Sequence, residues 1–326
     1  MSVLTSEAII PRARPKVRQT KLAAALLATV AAALATAACA NEADQGPNGG
    51  VTSQSVEGKF AVDTDTLVFG VVTDSVDTET NYGPLMAYIA QETGKEVQYH
   101  ESTDYAALIE AAVAGKIDVA SFSGFTYVTA TNQGAKLDPI SSIVTEQGQE
   151  PGYYSEAIVP KDSPIQSLAD FKGKKVCFVD PSSTSGYLFP SYNLLEASID
   201  PVNDVTPVFA GKHDISVAKT AAGKECEAGF AEDSEVAKSS EVRVVDRTMV
   251  PGAPIVMSTG LPSDLQDQLR DILDEVTIDE IIASGVESAN QDGFRSVFYA
   301  TKPVDDAYYQ VVRDICAKTG AEQCQA

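Results

Sequence analysis

Only two histidines, His100 and His213, occur in 326 residues, and the five cysteines do not fall at the spacing of a zinc site, so a zinc centre is excluded and no metal or other cofactor is expected. Basic residues are scarce. The 24 Lys and Arg face 46 Asp and Glu, giving a formal net charge of −22 that repels nucleic acid and anionic lipid surfaces. No repeat of short period is present, which excludes a solenoid. The longest apolar run, Leu22 to Ala35, is mostly alanine and too short for a preferred membrane span. The Gly-x-Ser-x-Gly nucleophile elbow is absent as well.

The basic residues that do occur open the chain. Arg12, Arg14, Lys16, Arg18 and Lys21 precede the alanine-rich run, and Ala37-Ala38-Cys39 closes it, the pattern of a secretory leader spanning 1–39. A cysteine after small residues resembles a bacterial lipoprotein box with Cys39 as the acylated residue. Thr36 stands where that pattern usually has an aliphatic, and an ordinary signal-peptidase site is the alternative. Loss of residues 1–38 removes five basic side chains and one acidic one, taking the charge from −22 to −26. Residues 40–62, rich in glycine and polar residues at their start, read as a flexible tether. With Cys39 reserved for lipid, four cysteines remain for a secreted chain. Cys316 and Cys324 are near neighbours in sequence, which leaves Cys177 to pair with Cys226.

Short apolar runs alternate with helical stripes. Leu67–Val72, Val97–His100 and Ile117–Ala120 read as strands, separated by helices over 82–94 and 105–115. The alternation restarts after Pro160, with strands at Val176–Val179, Val205–Phe209 and Glu227–Phe230 and helices over 186–198 and 214–222. Such βαβ order predicts an α/β protein of two similar lobes, with ligand sites at the C-terminal ends of the strands.

At one such junction the sequence reads Asp180-Pro-Ser-Ser-Thr-Ser-Gly-Tyr-Leu-Phe-Pro190. The first N–H groups of a helix have no intrahelical partner and carry partial positive charge, and Ser183, Thr184 and Ser185 add rotatable donors beside them. Together they can hold an oxyanion without lysine or arginine; a helix cap with redundant serines is the plainer account. His213, beside another helix start, can donate to the same anion, or be merely structural. Tyr105 and Tyr153 stand near loop-to-helix starts and offer hydroxyls to a wet pocket, or pack as core or rim. Asp233 ends a strand where ligands bind, in a chain where surface acids are common. Ser185 with His213 and Asp214 also contains the residue types of an acyl-transfer triad, so a secreted serine hydrolase is a further reading.

These pieces together resemble the PhnD-like family, the periplasmic or lipid-anchored substrate-binding proteins of phosphonate, phosphite and phosphate ABC importers. The match is carried by the 180–190 motif, with Asp104-Tyr-Ala-Ala-Leu-Ile109, Gly115-Lys-Ile-Asp-Val-Ala120, Pro151-Gly-Tyr-Tyr-Ser155, Gly211-Lys-His-Asp214 and Pro251-Gly-Ala-Pro-Ile-Val256 in the same order. The resemblance implies a non-enzymatic receptor with a type II periplasmic-binding-protein fold: two Rossmann-like lobes, 63–157 plus 257–326 and 158–256, joined by a two-crossover hinge. It implies a monomer that binds a small phosphorus oxyanion and delivers it to the transmembrane permease subunit, held to the membrane by its lipid anchor. Ser183, Thr184, Ser185, His213, Tyr105 and Tyr153 would hold the phosphoryl group. Of the two acidic positions that aminoalkylphosphonate binders use, one falls on Ala253 and the other near Asp233, which disfavours 2-aminoethylphosphonate and leaves Asp233 to accept a proton from a phosphoryl oxygen. Another anion or a heterocycle on the same fold is the remaining alternative.

Overall fold

The computed structural model describes residues 58–75 and 78–325; the expected leader, Cys39 and the tether up to residue 57 lie outside them. Among the described residues, eleven strands form two sheets. The first contains β1 (Thr66–Val71), β2 (Glu96–His100), β3 (Val119–Ser121), β4 (Leu137–Val144), β10 (Pro254–Ser258) and β11 (Ala300–Pro303), in the order β11-β4-β10-β3-β1-β2. The second contains β5 (Tyr153–Pro160), β6 (Lys175–Phe178), β7 (Thr206–Phe209), β8 (Ala228–Glu232) and β9 (Val242–Val250), in the order β7-β6-β8-β5-β9. In each sheet three strands are parallel, β1 to β3 and β6 to β8, and the strands that cross between sheets join antiparallel to them. This is the expected two-lobe α/β architecture.

β1 shows why the sheets are buried on both faces. Leu67, Phe69 and Val71 enter one apolar cluster, under the helices Thr78–Thr93 and Ser263–Leu273, while Val68 and Val72 enter another with Leu108, Phe125 and Val128. That second cluster continues into lobe two through Val179, Leu188 and Phe189, and is closed by Tyr309, Val312 and Ile315 of the C-terminal segment. A separate core around Phe171, Phe178 and Phe230 fills the second lobe.

Strand membership moves both lobe borders. The expected breaks at 157/158 and 256/257 fall inside β5 and β10; the chain changes sheets in the segments 145–152 and 251–253. Tyr308 and Tyr309 tie these crossovers together. The Tyr308 hydroxyl donates to the Pro151 carbonyl and accepts from Gly252 N (3.2 Å), and Tyr309 donates to the Gly252 carbonyl (3.0 Å). The end of the expected tether is also fixed. Lys59 N donates to the Gly260 carbonyl (2.7 Å) and Ala61 N to Asp118 Oδ1 (2.9 Å), so chain freedom has ended before residue 62.

Both expected disulfides are present. Cys177–Cys226 joins β6 to a position two residues before β8 and its Cα atoms lie 5.5 Å apart; Cys316–Cys324 folds the chain end back on the helix Gln310–Thr319.

Candidate functional site: an anion cleft between the lobes

A cavity of about 740 Å³ opens between the two sheets, and the C-terminal ends of all six parallel strands supply its wall. From lobe one come Asp74 after β1, Tyr105 after β2 and Ser123 after β3; from lobe two come Ser183 after β6, His213 after β7 and Glu232 at the end of β8. Five of these sit at helix starts, Glu232 as the N-cap of the single turn Asp233–Val236 and the other four at longer elements. Tyr105 and His213 are the first residues of Tyr105–Val113 and His213–Ala222, and Ser123 and Ser183 are the N-caps of Gly124–Asn132 and of the turn at Thr184–Leu188. Four helix dipoles thus place partial positive charge against one space.

The 182–185 cluster is more divided than its sequence suggests. Ser183 Oγ accepts from Gly186 N (3.0 Å) and lines the cavity. The turn it opens is wider than an α-helix, with Leu188 N donating to the Ser183 carbonyl (3.0 Å), before α-helix proper begins at Phe189. Glycine is required at 186, because a Cβ there would stand 2.4 Å from Val179 Cβ. Thr184 instead bridges the lobes: its Oγ1 accepts from Phe125 N (2.7 Å). Ser185 Oγ is buried beside the Tyr153 hydroxyl without meeting hydrogen-bond geometry, and the Ser185 carbonyl accepts from Ser155 Oγ (2.6 Å). Neither Thr184 nor Ser185 lines the cavity with its side chain. What they can offer a ligand is their backbone N–H groups, which precede any intrahelical acceptor.

Further bonds hold the lobes together around the cleft. Thr126 Oγ1 donates to the Ser182 carbonyl (3.1 Å), His213 N to the Asp74 carbonyl (2.9 Å) and Lys212 Nζ to the Ser75 carbonyl (3.3 Å). Tyr105, 1% exposed, reaches across with its hydroxyl beside Ser183. Burial and the nearby Asp74 push its phenol well up; burial and Glu232 do the same for Tyr153. Both remain O–H donors at any physiological pH.

His213 has a defined tautomer. Its Nδ1 accepts from Glu232 N (2.9 Å), so the ring proton is on Nε2, facing the cavity. Burial lowers its pKa, with Asp74 opposing, and the ring is a neutral donor. Protonation, which would strengthen a bond to an anion, is opposed by the amide that occupies Nδ1. The same contact removes the hydrolase reading: a triad histidine donates from Nδ1 and accepts from serine at Nε2, the reverse of this ring, and Ser185 Oγ is not its partner.

Two carboxyl groups stand among these donors, and neither was singled out by sequence. Burial pushes Asp74 up to about 7, with Glu232 adding to the rise and His213 opposing it. Burial also pushes Glu232 up to about 7, with Ser234 and Lys238 opposing and Glu235 and Asp233 reinforcing. Asp233, the expected acid, lies at the rim with both oxygens engaged: Oδ1 accepts from Tyr154 N (3.2 Å) and Oδ2 faces Arg247 (3.8 Å), whose guanidinium stacks 3.7 Å from the Tyr154 ring. Ala253 also lines the cavity, so no carboxylate is offered from that position.

A carboxyl whose folded pKa is raised binds more protons in the native than in the unfolded state between the two pKa values. Its contribution to stability is therefore greatest at low pH and declines as pH rises from about 4.5 to about 7 for Glu232. Glu232→Gln removes that term. The stability of the ligand-free wild type relative to the Gln variant is expected to fall across this window and level off above it, measured by urea unfolding at pH 5, 6, 7 and 8. A difference that does not change with pH would show that Glu232 ionises normally.

The model of the ABC-transporter phosphonate periplasmic substrate-binding proteins matches residues 69–301. The phosphate-import protein PhnD of Mycolicibacterium smegmatis is 32% identical over 92% of this chain and 97% of its own. Among solved structures, PhnD1 of Prochlorococcus marinus in complex with methylphosphonate superposes with a TM-score of 0.68 at 17% identity, covering 79% of this chain and 100% of that one. A binding-protein component of an ABC phosphonate transporter from Pseudomonas aeruginosa gives 0.67 at 23% identity, covering 79% and 87%. The strand-end cleft, its serine-threonine turn and the extent of these matches lead to one assignment: the chain belongs to the family of ABC-transporter phosphonate periplasmic substrate-binding proteins.

Proposed function

We propose that the cleft captures a small phosphorus oxyanion, a phosphonate, phosphite or phosphate, and that the protein presents it to the permease of an ABC importer as a monomer held outside the cytoplasmic membrane by an acylated Cys39. The observation that carries the ligand class is the convergence of four helix N-termini and the hydroxyls of Tyr105, Tyr153 and Ser183 with the Nε2–H of His213 on one cavity. Preset dipoles in a desolvated cleft hold an anion without a cation of their own. Tyr105 and His213 bind from opposite lobes, so the ligand rewards closure. Thr184 and Ser185 contribute backbone N–H groups, and Asp233 supports the rim through Tyr154 and Arg247.

The relatives named for phosphate import and for methylphosphonate support this ligand class. The test is thermal unfolding of the purified secreted chain with phosphate, phosphite, methylphosphonate, 2-aminoethylphosphonate and sulfate. A ligand at a hundredfold its Kd adds about 2.7 kcal/mol. A shift with phosphorus compounds supports the reading; no shift with any of them at millimolar concentration would refute it, and a shift with sulfate alone would redirect it to another ligand class.

A further inference from the structure

The donors of the cleft are only half of its polar lining. Asp74 follows β1 in lobe one and Glu232 ends β8 in lobe two, and both line the cavity with His213 between them: His213 N bonds the Asp74 carbonyl (2.9 Å), while Nε2 stands 4.0 Å from Glu232 Oε2, beyond a hydrogen bond. Among the described residues the donors to these carboxyls are Thr78 Oγ1 to Asp74 Oδ1 (3.3 Å), joined by the backbone N–H of Asp74 itself, and Ser234 Oγ to Glu232 Oε1 (2.7 Å). The charged and titratable groups around Asp74 are Glu232, His213, Tyr82, Tyr99, Tyr105 and Tyr153, with Lys212 bonded to the adjacent Ser75 carbonyl. Those around Glu232 are Asp74, Asp233, Glu235, His213, Tyr82, Tyr105, Tyr153 and Lys238. The cations near the cleft have other acids: Arg247 meets Glu156 (3.3 Å), and Lys238 meets Glu235 (2.6 Å).

An ionised carboxylate can only accept hydrogen bonds, and so can an unprotonated phosphoryl oxygen. Two such groups facing one another in a water-poor cleft repel strongly. A proton between them converts that repulsion into a short charge-assisted hydrogen bond. We propose that the site binds its anion in protonated form, each of Asp74 and Glu232 sharing a proton with a ligand P–OH, and that this pair selects phosphorus oxyacids that keep a P–OH near neutral pH over sulfate and sulfonates, which have none. This rests on the phosphorus-oxyanion reading above and adds to it the protonation state and the basis of selectivity. The raised pKa values of the empty pair agree with proton sharing, and they set where the selection operates: below about pH 7 a protonated carboxyl can itself donate to sulfate, so discrimination against sulfate belongs to the range above it.

The consequence is a binding reaction that takes up protons above neutrality. For each shared proton, Kd rises about tenfold per pH unit once both the free ligand and the free pair have ionised. The test is calorimetric titration of the wild-type chain and Asp74→Asn with phosphate, methylphosphonate, 2-aminoethylphosphonate and sulfate between pH 6 and 9. For the wild type, log Kd for phosphate and methylphosphonate is expected to climb with a slope of at least one above pH 7.5, with matching proton uptake when Tris and HEPES runs are compared. Asp74→Asn, which cannot ionise and presents an amide donor, is expected to reduce the phosphate slope by one and to gain sulfate binding at pH 8.

A flat wild-type profile for phosphorus ligands would overturn the proposal while leaving the proposed function intact; no binding at any pH would overturn both. A variant slope equal to that of the wild type would also overturn it. So would 2-aminoethylphosphonate binding that exceeds methylphosphonate binding and stays level to pH 9, because an ammonium would then be neutralising the pair. Should the variant fail to fold, the wild-type slope and the two-buffer proton count decide the matter unaided.

Discussion

Replacing His213 with leucine is expected to weaken phosphate binding at pH 6 by about 10- to 100-fold, the range for removing one hydrogen bond to a charged partner, about 1.5–3 kcal/mol. Leucine removes two contacts at once. The Nε2–H that faces the cavity is lost, and the amide of Glu232 loses the Nδ1 that accepts it at 2.9 Å. The second loss displaces the end of β8, where Glu232 stands, so part of the effect arrives through the neighbouring carboxyl. Glutamine separates the contributions, since its carbonyl oxygen can accept from Glu232 N while its amide donates into the cleft. His213→Gln is therefore expected to recover most of the affinity lost in His213→Leu, and calorimetry on the two variants checks the order. Equal losses would show that ring packing, not donation, is what His213 supplies; a leucine variant within twofold of wild type would remove His213 from the site.

The largest single effect on stability is expected at Cys177–Cys226. Its 49-residue separation gives a chain-entropy contribution of about 4 kcal/mol, against about 2.5 kcal/mol for the 8-residue separation of Cys316–Cys324. Both Cys177 and Cys226 are fully buried, so alanine at the two positions adds a small loss of packing. The bond also has a position that matters for binding. It ties β6 to the start of β8, the strands whose far ends deliver Ser183 and Glu232 to the cleft. The Cys177→Ala, Cys226→Ala chain is expected to lose more stability in urea than the Cys316→Ala, Cys324→Ala chain, and to bind phosphate more weakly at 25 °C. A ranking in the other direction would place the mechanical support of the site elsewhere.

The parts of the molecule legible in its sequence are those fixed by local pattern. Short apolar runs bounded by turn residues gave away β1 and β6, which are buried, and β2 and β7, which are edge strands with no buried residue. The serine-threonine turn, Tyr105 and His213 were legible because helix starts carry capping chemistry in order along the chain. β4 was not, since Pro139 and two serines interrupt its apolar pattern, and those serines are buried only because β10 and β11 flank the strand. The helix Gly124–Asn132 was hidden by a glycine start and three threonines, and with it went Ser123, although Ser123 followed by Thr126 is a usable cap signal.

Asp74 and Glu232 were illegible for another reason. Each is one acid among 46 in a strongly acidic chain, and nothing local marks either. Their significance is created by two lobes bringing residues 158 positions apart onto one cavity, where loss of water and mutual repulsion change what a carboxyl can do. Glu232 and Asp233 both line the cavity and differ in what engages them: successive side chains in β8 point to opposite sides, and residue 233 has already turned into the helix that follows, where Tyr154 N and Arg247 meet its oxygens.

The central claim is that one cleft, built from the C-terminal ends of six strands, binds the phosphorus group. A crystal structure of the secreted chain grown with saturating methylphosphonate tests it most directly. The expected result is a phosphoryl group within hydrogen-bond reach of Tyr105 Oη, Ser183 and His213 Nε2, with a phosphoryl oxygen against Asp74 or Glu232. Methylphosphonate bound elsewhere, or an empty cleft in a protein that titrates with the ligand in solution, would contradict it.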